Sequence, residues 1–323
     1  MGIRLVYGLK TSDASYLDVF YPSRRLAQAA AALGIDYGAL VFPPGSSERE
    51  ALEACRGHTA LLRGELPAGL YRRLESAGAR VINPSRATEL ARDKLACAAF
   101  FSARGAAHPP TVGFSSTLAE PARPPLPYPF VAKPRYGKMG RGVALIEGQA
   151  DWAAYLRAAR PERPPRRRAV SASAVAAGPA DPFGSPDEPD YLAQGYLAAS
   201  RGRDIRFFFA SWPDGAPWVA VERRGPDFLS NAHAGAAMHA YSPSPELAAT
   251  AEGLFAAAGL AYGTVDFLYA DAAGRAFAAC ELNACPGFEE LERATGLDAA
   301  AAVLRAALRF HDRNGKDTDY ELR

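Results

Sequence analysis

Lysine is scarce in this chain of 323 residues: Lys10, Lys94, Lys133, Lys138 and Lys316 are the only five among 37 basic side chains. Arginine serves wherever a generic positive charge suffices, so each retained lysine is somewhat more informative than usual. Cysteine is sparse too, and Cys55, Cys97, Cys280 and Cys285 show no Cys-x-x-Cys spacing. This argues against a zinc or redox centre, and Cys280 and Cys285 read as small packing residues. No stretch reads as a signal peptide, and no apolar run approaches the roughly 18 residues of a membrane span. A reduced, cytoplasmic setting without a membrane partner is expected. Net charge is only +2, which by itself argues neither for nor against nucleic acid; the basic residues are scattered rather than gathered in one stripe, and no nucleic-acid partner is expected. There is no Gly-x-Gly-x-x-Gly fingerprint, and no Ser-His-Asp or Cys-His constellation that would supply a protein nucleophile. Apolar residues make up 49% of the chain, enough for a globular fold, and the length suits two or three domains.

The first 84 residues alternate between two periodicities. Strands are expected at 3–8, 36–42, 59–62 and 80–82, and helices at 17–33, 48–55 and 67–77, the last with Pro at its start and Gly78 after its end. Such alternation predicts an α/β layer with a mostly parallel sheet. Arg63, at the end of the third strand, reads as a solvated surface charge, with contact to an acidic substrate as the alternative. A helix follows from Ser85, its expected N-cap, to Arg104.

The richest stretch runs from Tyr262 to Asp298. Two β-rich runs, 264–269 and 276–283, flank a turn of Asp, Ala and Gly, which predicts a hairpin. With Ala270 paired to Arg275, Asp266 lies opposite Ala279, and Glu281 and Asn283 follow on the same face. Three oxygen-bearing side chains then line up in roughly 7 Å steps, a set suited to a hard divalent cation such as Mg2+. A slip of one residue would move Asp266 to the other face. The competing reading, ordinary polar residues on a solvated face, sits poorly with carboxylates among Val, Phe, Leu, Tyr and Cys.

Glu281-Leu282-Asn283, then Pro286-Gly287-Phe288, then Glu292 to Asp298 resemble the closing signature of the ATP-grasp superfamily, most of all its RimK-type ligases, which add glutamate to a carboxylate. The similarity continues upstream to about Ser85. It implies an α/β N-terminal domain (1–84) followed by a two-lobe α+β ATP-grasp module. The small lobe would span 85–195, with a Pro- and Arg-rich insertion near 161–190, and the large lobe 196–312, before a polar tail, 313–323. The resemblance implies ATP and Mg2+, two ions with Mn2+ as an alternative, the metal held by Asp266, Glu281 and Asn283.

It also assigns roles upstream. Lys94, in Ala91-Arg92-Asp93-Lys94, and Lys133 would reach the nucleotide phosphates. Gly137, Gly140 and Gly142 would form a flap over the γ-phosphate, a segment whose backbone N–H groups can wrap anionic oxygens. The strand carrying Gln194, Tyr196 and Leu197 would meet the adenine edge. Here Gly195 departs from the family's Gln-Glu pair, removing a side-chain contact. Asp204 would accept from ribose hydroxyls, and Arg206 would position or neutralise phosphate. Arg224 would take the γ-phosphate, bidentate pairing being the physical reason. Asn231 and His233 lie in a loop resembling Phe-Arg-Ser-Asn-x-His-x-Gly-Gly, from which Leu229 and Ala236 depart. The implied reaction joins an amino-acid amine, glutamate-like, to a small-molecule or peptide carboxylate through an acyl phosphate. A kinase on the same fold and a nucleotide-binding protein without chemistry remain alternatives, and a homo-oligomer is left open.

Overall fold

The computed structural model describes residues 2–115, 123–137, 140–159, 189–226 and 237–310. The apolar runs of the first 84 residues become β1 (Ile3–Gly8), β2 (Tyr37–Val41), β3 (Thr59–Gly64) and β4 (Arg80–Ile82). Helical crossovers return the chain each time in the same direction, giving a parallel sheet in the order β2-β1-β3-β4. The crossovers are α1 (Tyr16–Val19) and α2 (Tyr21–Ala32), then α3 (Glu48–Cys55), then α4 (Ala68–Ser76). The helix expected over 17–33 is thus two. Phe20 is extended, at φ −70° and ψ 119°, because Pro22 in the first turn of α2 has no N–H to carry the earlier helix onward.

The helix expected from Ser85 to Arg104 is broken as well, into α5 (Ser85–Arg92) and α6 (Lys94–Ala103). Asp93 sits extended between them, and its carboxylate accepts from the Leu95 and Ala96 N–H groups at 3.0 and 3.2 Å, capping α6. Pro84 rather than Ser85 is the N-cap of α5; the Ser85 hydroxyl and N–H donate instead to Glu75 at 2.5 and 2.6 Å.

Two antiparallel sheets follow. β5 (Thr111–Phe114), β6 (Phe130–Pro134), β7 (Ala144–Ile146) and β8 (Tyr191–Gly195) pair in the order β5-β8-β6-β7, over a core of Phe114, Phe130, Trp152 and Leu156 that α7 (Gln149–Ala159) closes. β9 (Arg203–Phe209), β10 (Trp218–Arg224), β11 (Ala237–Ala240), β12 (Gly263–Tyr269) and β13 (Phe277–Asn283) form a five-stranded sheet in the order β11-β10-β9-β12-β13. One face of it, with Ile205, Phe207, Val265 and Phe267, packs on α8 (Pro245–Ala258) and on Ala87, Ala91, Cys97 and Phe101 of α5 and α6. The segment 85–103, grouped by sequence with the small lobe, therefore shares its core with the five-stranded sheet. After α9 (Glu289–Thr295), the chain ends its described part in α10 (Ala299–Arg309), capped by Asp298, whose carboxylate accepts from Ala301 N–H at 2.9 Å. Alanine-rich α10 lies in one continuous core with Ile3, Leu5 and Leu61 of the parallel sheet and with Phe208 and Val221 of the five-stranded one.

Candidate active site

The site grows from the register of the five-stranded sheet. The β12–β13 hairpin closes with Tyr269 opposite Phe277, and Ala270 N–H donates to the Ala276 carbonyl rather than pairing with Arg275. That shift of one would place Asp266 opposite Cys280, with Glu281 on the far face. A β-bulge cancels it: Phe267 faces Ala279, yet Asp266 faces Glu281, leaving Cys280 as the extra residue. The expected convergence of Asp266, Glu281 and Asn283 on one face is present, by a different register from the one expected, with Asn283 opposite Thr264. The bulge has a tertiary partner, since Ala279 N–H donates to the Ala107 carbonyl at 2.7 Å.

The same face continues across the sheet. Asp266 is opposite Arg206 on β9, and Asp204, two residues earlier, is opposite Arg223 on β10. Arg223 donates through Nε and Nη2 to both Asp204 oxygens at 2.6 Å and through Nη2 to Asp266 at 3.0 Å. Arg206 holds Asp266 with Nε and Nη2 at 2.9 and 2.5 Å. Asp204, Asp266 and Arg223 are all buried. Burial alone would push the Asp266 carboxyl up; the Arg206 and Arg223 guanidiniums outweigh it and hold it below the usual aspartate value. Asp204, expected to accept from ribose, has both oxygens committed to Arg223.

Arg224 is not part of this face. It alternates away from Arg223, pairs with Glu222 at 2.8 Å and is mostly exposed. The expectation for Arg224 meets a parity problem: of the two adjacent arginines, Arg223 is the one beside Asp266. Sequence reasoning missed it because Trp218 to Val221 is apolar at every position, so no alternation marks the inward face.

Lys94 opens α6, and its Nζ donates to the Gly137 carbonyl at 2.5 Å and lies 3.7 Å from Glu281. Asp93 ties the root of the flap to the same helix, taking Arg135 at 2.6 Å and the Tyr136 hydroxyl at 3.0 Å. Gly142 has φ +70°, and a Cβ there would meet Pro134 Cγ at 2.9 Å, so the flap's return requires glycine. Gly140 is also left-handed, at φ +72°. Buried Lys133 on β6 donates to Gln194 Oε1 on β8 at 2.9 Å. The Cys280 thiol reaches the same oxygen at 3.8 Å, and burial pushes that thiol up to about 11. Lys133, Gln194 and Cys280 thus mark the seam where the two antiparallel sheets face each other. Gly195 N–H is taken by the Pro110 carbonyl at 2.8 Å, which leaves the adenine-edge contact expected of this backbone to Tyr196 and Leu197. Asn231 and His233, Leu229 and Ala236, and nearly all of the 161–190 insertion lie outside the described residues, as does the 313–323 tail.

Whether the face suits a metal can be judged from its donors. Asp266, Glu281 and Asn283 offer oxygens only, from two directly paired strands, which fits a hard cation. Among the described residues no group of three or more His, Cys, Asp or Glu stands ready to hold an ion; this set has two carboxylates and an amide. Asn283 Oδ1 accepts from Cys285 N–H at 3.0 Å, and Asp266 is held by two arginines, so an ion has to exchange with guanidinium there.

Comparison with known proteins bears on this arrangement. A model of the RimK-like ATP-grasp domain matches residues 91–307. A probable alpha-L-glutamate ligase of Stenotrophomonas maltophilia (strain R551-3) is 30% identical over 243 residues, 73% of this chain and 71% of that protein. One from Methanococcoides burtonii is 27% identical over 254 residues, covering 77% and 72%. Among solved structures, D-alanine–D-alanine ligase from Bacillus anthracis complexed with ATP superposes with a TM-score of 0.63 at 16% identity, over 96% of this chain and 95% of that one. A RimK domain ATP-grasp protein from Sphaerobacter thermophilus gives 0.59 at 20% identity, over 94% and 99%. Among the described residues no helix is long and apolar enough to cross a membrane.

Proposed function

The chain belongs to the RimK-like ATP-grasp family, and from that premise we infer how its own side chains carry out ATP-dependent carboxylate–amine ligation. The enzyme is a ligase that uses ATP and a divalent metal. In the proposed course, a substrate carboxylate oxygen takes the γ-phosphoryl group and ADP leaves. The amine nitrogen then attacks the acyl carbon, the C–O electron pair departs with phosphate, and the nitrogen loses a proton. The amine is assigned to an amino acid of glutamate type, in keeping with the names of the relatives, and the acid to a small molecule or peptide.

The observation that carries this reading is the placement of Asp266 and Glu281 directly opposite each other, with Arg206 and Arg223 on the same face. Asp266, Glu281 and Asn283 would hold the metal, two Mg2+ ions with Mn2+ as an alternative, which supplies charge neutralisation at the phosphate oxygens. Lys94, beside the flap, and Lys133, at the seam of the two sheets, would take the phosphates. Arg206 and Arg223, once freed from Asp266, offer planar donor pairs to the transferred phosphoryl group. The loop carrying Gly137, Gly140 and Gly142 would exclude water, and the Tyr196–Leu197 backbone would meet the adenine edge. A boundary at residue 84, a lobe boundary near 195 with α5 and α6 packed on the large-lobe sheet, the assignment of Asn231 to the acceptor loop and a cytoplasmic setting belong to the same proposal.

Hydroxylamine tests the reaction class. With an acid substrate and Mg-ATP but no amine, the acyl phosphate should be intercepted as a hydroxamate, and none should form in Asp266→Asn. A stable phosphoester as the sole product would overturn the ligase reading in favour of a kinase.

A further inference from the structure

The β12–β13 hairpin is closed at its turn end by its own backbone. Its open end, where chain enters at Tyr262 and leaves after Asn283, is held by two side chains from the parallel sheet. Asn83, just past β4, donates through Nδ2 to the carbonyls of Tyr262 and Ala284 at 2.8 and 2.7 Å. Its Oδ1 accepts from the N–H groups of Ala261 and Tyr262 at 2.7 and 3.2 Å. Both amide donors and two acceptor positions are used, which leaves the side chain a single orientation. Arg63, at the end of β3, donates through Nη1 to the Tyr262 hydroxyl at 3.1 Å and through Nη2 to the Pro286 carbonyl at 2.8 Å. Its guanidinium also lies 5.2 Å above the Phe288 ring.

Arg63 was expected at the surface and is 2% exposed. Among the described residues no carboxylate forms an ion pair with it, and its Nε has no hydrogen-bond partner. The groups facing this buried cation are the Pro286 carbonyl, the Tyr262 and Tyr7 hydroxyls, the Cys285 thiol and two ring faces, with no carboxylate among them, a costly arrangement if stability were its sole purpose. What it fixes is the backbone three residues beyond Asn283.

We infer that Arg63 and Asn83 are positioning residues, setting from the N-terminal sheet the spacing of the strands that carry Asp266, Glu281 and Asn283. The inference rests on the reading of those three as the metal-holding set. Partners that orient metal-holding groups without touching the ion cost about 10-fold or more in metal affinity when removed.

The test is Mn2+ binding by the full chain in the presence of ADP, followed by electron paramagnetic resonance, beside thermal melting. Arg63→Met leaves the Pro286 carbonyl and the Tyr262 hydroxyl without their donor and should lower melting modestly, yet bind Mn2+ about tenfold more weakly. Arg63→Lys keeps the charge but cannot span Pro286 and Tyr262 together, and should weaken binding likewise. Leu26→Ala, a cavity in the core under α2, should lower melting and leave Mn2+ binding alone. Glu281→Gln separates the two levels. If it binds Mn2+ as wild type does, the metal reading fails and this inference with it. If it loses Mn2+ while both Arg63 variants stay within twofold of wild type, the positioning role is overturned. Loss of fold in both Arg63 variants assigns Arg63 to stability and overturns it too.

Discussion

Arg223 is wedged between Asp204 and Asp266, whereas Arg224, the next residue, is 62% exposed and paired with Glu222. Glu222 is itself buried and also takes the Tyr269 hydroxyl at 2.8 Å, so it does not depend on Arg224 alone, and Arg224 faces away from Asp266. Arg224→Ala is therefore expected to keep ATP turnover within a few-fold of wild type. Arg223→Lys, which loses the planar donor fork, should lower turnover by about 100-fold, the cost of one preorganised donor in a charge-stabilising site. Steady-state phosphate release decides between them, and an Arg224→Ala loss as large as that of Arg223→Lys would return the γ-phosphate role to Arg224. Glu281 is a second residue-scale test. Its side chain is about one third exposed, at 34%, so Glu281→Gln should stay folded. It should lose Mg-dependent turnover, because a charge interaction worth several kcal/mol at the phosphates goes with it. Near wild-type turnover would unseat the metal assignment.

Two breaks in regular structure do most of the placing at the scale of elements. The bulge at Cys280 restores Glu281 to the face of Asp266, and the break at Asp93 turns α6 so that Lys94 points at the flap and at Glu281. Asp93 caps α6 and ion-pairs with Arg135; asparagine can still cap, so Asp93→Asn should spare the helix and loosen the flap root through the lost ion pair, by about 1 kcal/mol or more. Its pH dependence has a definite sign. Burial pushes the Asp93 carboxyl up, but Arg135, the Ala96 N–H and the Tyr136 hydroxyl outweigh it and hold it below the ordinary 3.8. A depressed carboxyl contributes stability that is fully present above that ordinary value and is lost as pH falls through the lower folded one. The difference in melting temperature between wild type and Asp93→Asn should be full near neutrality and close in acid below 3.8. A difference that stays constant into that range would mean the ionised carboxylate is not what holds the flap root.

Across the whole molecule, α10 joins two sheets that the sequence separates by more than a hundred residues. Val303 and Leu304 are fully buried in a core that takes in Ile3, Leu5, Phe208 and Tyr262. Leu304→Ala should cost about 2–5 kcal/mol. Hydrogen exchange should then rise together in the parallel and five-stranded sheets. The four-stranded sheet, with its separate core around Phe130 and Trp152, should keep its protection. Loss confined to α10 and the parallel sheet would show that the two sheets are not one cooperative unit.

The alternating α/β start, the hairpin at 262–283, the oxygen-bearing trio and the glycine-rich loop beside Lys133 are legible in residue order alone. Each is written in local terms: period, turn chemistry, or residue types at short spacing. Even so, the trio's common face was reached through a register that the molecule does not use. Tertiary packing set that register, through a bulge beside which Ala279 N–H bonds to the Ala107 carbonyl, far away in sequence. It also decided that Arg223 rather than Arg224 faces Asp266, because a strand apolar on both sides carries no parity signal. And it decided that Arg63 is buried, since the groups enclosing it, Tyr262, Pro286 and Phe288, come from about two hundred residues downstream. Periodicity reports which residues share a face of one element; it does not report what that face will meet.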